Sequence, residues 1–125
     1  MPTTLQDMLA VAHAAVPMIS PADAAALVKD AGAVIVDIRD GTEVAATGKA
    51  KGAITIPRGS LESRACPTSA TYVPALRQDK PVILYCAGGN RAALAGKTLL
   101  DLGYTEVRNL GGFRDWVAGG GEVEK

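Results

Sequence analysis

Two short apolar runs limit what this chain can fold into more than any other feature. Residues 33–38 (AVIVDI) and 82–85 (VILY) are apolar runs rich in β-branched residues, interrupted only by Asp37, and each is too short for a helix. Strands that are apolar on both sides belong to parallel sheets with a layer of helices on each face. The flanking sequence supplies such helices. Residues 3–15 carry Leu5, Met8, Leu9 and Ala12 at helical spacing, and Pro17 ends the pattern. Ser20-Pro21 reads as an N-cap followed by proline at the first helical position, with Asp23 completing a weak capping box and Gly32 as the stop. Between the two runs the sequence suggests a helical turn at 42–46 and a brief strand at 53–56 closed by Pro57. Residues 58–72 lack a period and read mostly as loop, and 73–78 as one helical turn or two. After the second run, Arg91 opens an Ala- and Leu-rich helix capped by Gly103. A last short strand at 107–110, a final helix at 111–117 and a frayed tail at 119–125 complete the reading. Strands alternating with helices imply an open parallel α/β sheet with helices on both faces.

Bulk properties narrow the function. A length of 125 residues suits one domain. Thirteen basic and thirteen acidic residues cancel, which leaves no electrostatic footprint for nucleic acid or an anionic membrane. No apolar run approaches the ~18 residues of a membrane span. The first twenty residues have no basic residue ahead of their alanines and do not read as a secretory signal, so a cytoplasmic location is expected. Two cysteines, Cys66 and Cys86, are too few for a disulfide framework, and with a lone His13 they make a poor metal site.

Cys86 stands where chemistry is expected, because open parallel sheets bind ligands beyond the carboxyl ends of their strands. It closes the second apolar run and is followed by Ala87-Gly88-Gly89-Asn90 and the helix at Arg91. The glycine pair lets the loop curl until its N–H groups point inward, and the helix start adds partial positive charge. Arg91 adds a full charge or braces the loop by bonding its carbonyls. All of this favours a negatively charged sulfur, so Cys86 is expected to be a thiolate nucleophile. On these features alone a small buried cysteine or a phosphate-binding turn fits equally well. A dinucleotide site is disfavoured because the G-x-G-x-x-G spacing is absent.

The segment Cys86-Ala87-Gly88-Gly89-Asn90-Arg91-Ala92 resembles the active-site loop of the rhodanese-type sulfurtransferases. Three further segments agree in order and spacing: Val36-Asp37-Ile38-Arg39, Gly52-Ala53-Ile54-Thr55-Ile56-Pro57, and Leu110-Gly111-Gly112-Phe113-Arg114-Asp115-Trp116. The resemblance implies a five-stranded parallel sheet flanked by helices. It divides the chain into a helical extension (1–17), a rhodanese-like domain (18–120) and a disordered tail (121–125). Cys86 is then the catalytic residue, and Ala87, Gly88, Gly89, Asn90 and Arg91 form the persulfide-binding loop. A small anionic donor such as thiosulfate leaves its outer sulfur on Cys86, and cyanide, a thiol or a protein sulfur acceptor removes it. No cofactor is implied. The chain departs from the family at Gly48-Lys49-Ala50, where members often carry Gly-His-Ile.

Two other functions fit the same residues. Related phosphatases place five residues between cysteine and arginine, whereas four separate Cys86 from Arg91 here, a tighter ring suited to one sulfur atom. A non-enzymatic persulfide carrier or docking module is the third reading. Arg58 either reaches the mouth of the site and attracts an anionic donor or is structural. Asp37 and Arg39 are expected to brace the end of the sheet, and Phe113 and Trp116 to anchor the core. Cys66 reads as a bystander on a loop, with a resolving thiol as the alternative. His13 reads as a partly exposed helical residue.

Overall fold

The computed structural model describes residues 2–125. Helix α1 (Leu5–Ala15) begins at a capping box in which Thr4 accepts the Asp7 N–H at 3.1 Å and Asp7 accepts the Thr4 N–H at 2.9 Å. Helix α2 (Pro21–Ala31) starts on the Ser20 hydroxyl and stops at Gly32, whose φ of 69° is the left-handed conformation of a glycine C-cap. Strand β1 (Val34–Asp37) leads through a second capping box, Asp40 with Glu43, into α3 (Gly41–Thr47). The rest of the order is β2 (Lys49–Ala50), β3 (Ile54–Thr55), α4 (Leu61–Ala65), β4 (Val82–Cys86), α5 (Asn90–Asp101), β5 (Val107–Gly112), α6 (Phe113–Ala118) and β6 (Val123–Glu124).

The main sheet runs β3-β1-β4-β5, with every pair parallel. Met18 adds an isolated parallel bridge to Asn109 along the outer edge of β5, flanked by hydrogen bonds of 3.0 and 2.9 Å. The five-stranded expectation therefore holds, with its fifth member reduced to a single bridge. β4 is buried along its whole length, and its residues alternate between two cores. Val82, Leu84 and Cys86 join Val16, Leu61, Ala92, Ala95 and Leu99 on one face. Ile83 and Tyr85 join Ala24, Leu110 and Trp116 on the other. This alternation is why the apolar runs lack the alternating polar positions of a half-exposed strand; Asp37, the one charged residue in them, is itself fully buried. Among the described residues no helix is long and apolar enough to cross a membrane.

Four expectations change. The apolar face of α1 is only half covered: Ala12 is buried and Leu9 partly so, while Leu5 and Met8 are each more than half exposed. α1 leans on α5 near its carboxyl end, where a Cβ at Gly96 would stand 2.8 Å from Val16 Cγ2. Residues 58–72 are not mostly loop, since a 3-10 turn at Arg58–Ser60 runs into α4 and plugs Leu61 and Ala65 into the core. Residues 73–78 form turns rather than a helix, with Leu76 buried beneath them. The tail does not fray. β6 pairs antiparallel with β2, the Trp116 indole N–H donates to the Glu122 carbonyl at 2.7 Å, and Glu124 meets Lys49 at 3.1 Å.

Candidate active site

Cys86 is the last residue of β4, and the chain turns at once into α5. Its sulfur accepts the Gly89 N–H at 3.0 Å and the Ala92 N–H at 3.4 Å. Gly89 is the N-cap of α5 and Ala92 its third residue, so Sγ holds the amide that an Asp or Ser side chain would normally take at a helix start. The sulfur thus stands in for the missing N-cap side chain. Gly89 has φ 103° and requires glycine for that conformation. Gly88 has no positive φ and no atom within 4 Å of a would-be Cβ, so the backbone freedom expected of both glycines is needed at one. Ala87, Gly88 and Asn90 are exposed, whereas Cys86 is 1% exposed.

Arg91 does not bond the loop carbonyls. Its guanidinium forks onto both oxygens of Glu43, at 2.9 and 3.0 Å, and ties the start of α5 to α3. That pairing holds the Glu43 carboxyl down to about 2 and raises Arg91 further above its usual value. The loop is braced instead by Asn109, a fully buried residue in β5. Its side-chain N–H donates to the Gly89 carbonyl at 3.1 Å, and its oxygen accepts the Gly111 N–H at 2.8 Å. The Ala87 carbonyl lies so close to Gly112 that a Cβ there would be 2.1 Å away. Sequence reasoning missed Glu43, Asn109 and the contact at Gly112. No local signal marked Asn109, because Arg108 stands beside it in β5 and the strand reads as partly polar.

Asp37 and Arg39 form the expected brace. Arg39 is 3% exposed and grips Asp37 through Nε at 3.0 Å and Nη2 at 2.7 Å, with further bonds to the Thr47 hydroxyl and the Gly48 carbonyl. The Tyr85 hydroxyl donates to Asp37 at 2.7 Å and accepts the Ala50 N–H, and burial raises its pKa. The Arg39 guanidinium lies 4.5 Å from the centre of the Phe113 ring. Arg58 bonds Glu62 at 2.9 Å and Thr98 at 3.1 Å. Thr98 is eight residues into α5, about 12 Å along the helix from its start, so Arg58 is turned away from the loop. Cys66 hydrogen-bonds Thr68 at 3.3 Å, which lowers its pKa. The carbonyl of its neighbour Ala65 accepts the hydroxyl of Tyr104, which follows α5 at the amino end of the sheet, opposite the Cys86 end. His13 is exposed in the last turn of α1.

Residues 20–119 match the family model described as a rhodanese-like domain. The chain is 37% identical over 93 residues to an uncharacterised Bacillus subtilis protein, YqhL, of which the match spans 64%. It is 34% identical over 97 residues to the thiosulfate sulfurtransferase GlpE of Pseudomonas fluorescens, covering 77% of this chain and 81% of that one. Among solved structures, a Rhodopseudomonas palustris protein described as of unknown function and a possible tyrosine phosphatase superposes with a TM-score of 0.87, at 40% identity and over 99% of both chains. The human single-domain sulfurtransferase TSTD1 superposes with a TM-score of 0.70 at 28% identity, covering 82% of this chain and 96% of that one. A parallel sheet with a cysteine loop at its carboxyl edge and a family match over four-fifths of the length agree: this chain belongs to the rhodanese-like family.

Proposed function

We propose that the chain is a sulfurtransferase that carries a sulfane sulfur on Cys86. The observation behind this reading is the pair of backbone N–H groups already aimed at Sγ. The amides of Gly88, Asn90 and Arg91 make no hydrogen bond among the described residues, and they surround the same turn. A thiolate, or a persulfide one atom longer, gains donors there that a neutral group would not need. In the first step the Cys86 thiolate attacks the outer sulfur of thiosulfate. The donor S–S bond breaks, a new S–S bond forms to Cys86, and sulfite departs as the dianion. In the second step an acceptor thiolate attacks the terminal sulfur and leaves as its own persulfide, returning Cys86 to the thiolate. Charge balances in both steps, and no base, cofactor or outside redox partner is required. The names of the GlpE relatives support thiosulfate as donor.

The Rhodopseudomonas palustris description favours phosphatase chemistry as a second reading. A loop of four residues between Cys86 and Arg91, together with an arginine occupied by Glu43, favours sulfur over a phosphoryl group. One experiment separates the readings. The intact mass is measured after incubation with thiosulfate, in wild type and Cys86→Ser, beside hydrolysis of an aryl phosphate. The expected result is one added sulfur in the wild type, none in the variant, and no hydrolysis. Aryl phosphate turnover without persulfide would reverse the assignment, and a persulfide that no thiol or cyanide removes would support the carrier reading.

A further inference from the structure

The cations around the mouth of the loop are paired, with one exception. Arg39 is held by Asp37 and Arg91 by Glu43. Arg114, in the first turn of α6, is exposed and has no hydrogen bond or ion pair among the described residues. It lines a hollow of about 370 Å³ that also touches Ala87, the residue after Cys86, and lies between α3 and α6. Ala46 and Phe113 give this hollow an apolar lining, while Glu43 and Arg39 at its wall are already neutralised. Its volume falls within the range of sites for organic ligands and exceeds what a five-atom inorganic anion fills.

We propose that this hollow seats a small organic thiol bearing an acid group, and that Arg114 selects it by pairing with that acid. The inference rests on the sulfur-transfer reading and adds the class of acceptor to it. The alkyl part of such a thiol packs on Ala46 and Phe113, its acid group meets Arg114, and its sulfur faces Ala87 and the end of β4. An unpaired cation over an apolar floor favours an anion, and its effect on exposed groups weakens with salt. Arg114 is thus a specificity-determining residue rather than part of the sulfur-bonding loop.

The test loads Cys86 with sulfur from thiosulfate or inorganic polysulfide and follows transfer to three thiols. These are 3-mercaptopropionate (acidic), 2-mercaptoethanol (neutral) and cysteamine (basic). Each acceptor is compared with itself in wild type, Arg114→Gln and Arg114→Glu, so intrinsic thiol reactivity cancels. Arg114→Gln should cut kcat/KM for 3-mercaptopropionate about fivefold, the size of an exposed charge pair, through KM and not kcat. Transfer to 2-mercaptoethanol should hold, and Arg114→Glu should improve transfer to cysteamine. Equal effects on all three thiols would overturn the proposal.

A second measurement needs no sulfur transfer. Alkylation of the Cys86 peptide by iodoacetate and by iodoacetamide is timed by mass spectrometry, which keeps Cys66 separate. The iodoacetate-to-iodoacetamide ratio should fall in Arg114→Glu and converge with wild type at high salt. An unchanged ratio removes Arg114 from anion selection whether or not the chain forms a persulfide. A ratio that responds in a chain that never persulfidates retains anion selection and refutes sulfur transfer.

Discussion

Replacing Gly112 with alanine places one methyl group against the loop that holds Cys86. A Cβ there would lie 2.1 Å from the Ala87 carbonyl oxygen and 3.0 Å from its carbon, whereas ordinary contact begins near 3.4 Å. Both sides are backbone, so relief requires β5 and the loop to separate by roughly 1 Å. The displacement cannot stay local. Gly112 pairs with Cys86 in the β4–β5 ladder, and β5 also carries Asn109, which holds the Gly89 carbonyl. Overpacking of this kind costs about 1–3 kcal/mol, and for a chain of this size each kcal/mol lowers Tm by about 4 °C. Activity should suffer more than stability, because a shift near 1 Å in a reacting group costs about a hundredfold in rate. Thiocyanate production from thiosulfate and cyanide measures the first effect, and thermal unfolding the second. Gly59→Ala, where no atom lies within 4 Å of the new methyl and φ is not positive, serves as the control. Gly112→Ala with wild-type kcat/KM and an unchanged Tm would refute the claim that this close approach positions the loop.

Asp37→Ala should destabilise the protein by about 3–5 kcal/mol, because it leaves the buried Arg39 charge and the Tyr85 hydroxyl without their partner; a urea midpoint within error of wild type would contradict this. Glu43→Gln should cost less than about 1 kcal/mol, because both members of its pair with Arg91 are about a third exposed. Its pH signature is specific. The folded-state carboxyl lies at about 2, below its ordinary 4.5, so the pair contributes fully above about 4.5 and is lost as pH falls through about 2. Stability followed from pH 6 down to pH 2 should show the wild-type advantage over Glu43→Gln holding to about pH 4.5 and shrinking steadily below it; a constant gap would assign it to packing instead.

The parts of this molecule that could be read from sequence are those that short stretches specify. The apolar runs at 33–38 and 82–85 could only be strands of a helix-covered sheet, since alternate residues on each had to find a separate core. The turn from Cys86 into α5 was legible for a similar reason. A strand, a glycine able to take positive φ and a helix start are neighbours in the chain, and local geometry aims their amides at the sulfur between them. The cap at Ser20 and the stop at Gly32 belong to the same class, because each bond closes within a few residues.

What folding alone settled are the pairings between distant segments. Glu43 reaches Arg91 across 48 positions, and Asn109 reaches Gly89 across 20. Nothing near Arg91 in the chain distinguishes a cation pointed into the loop from one held by α3. Arg58 could be placed only once Glu62 and Thr98 were seen to hold it. The tail was misread because its partners, Lys49 and Trp116, lie on other elements, and the apolar stripe of α1 because periodicity reveals a face without revealing what covers it. Short-range backbone preferences act within a few residues of their cause and leave a trace in the sequence. The bracing of the cysteine loop depends on which side chains the finished sheet brings within 3 Å of one another, and that proximity exists only after the long-range contacts have formed.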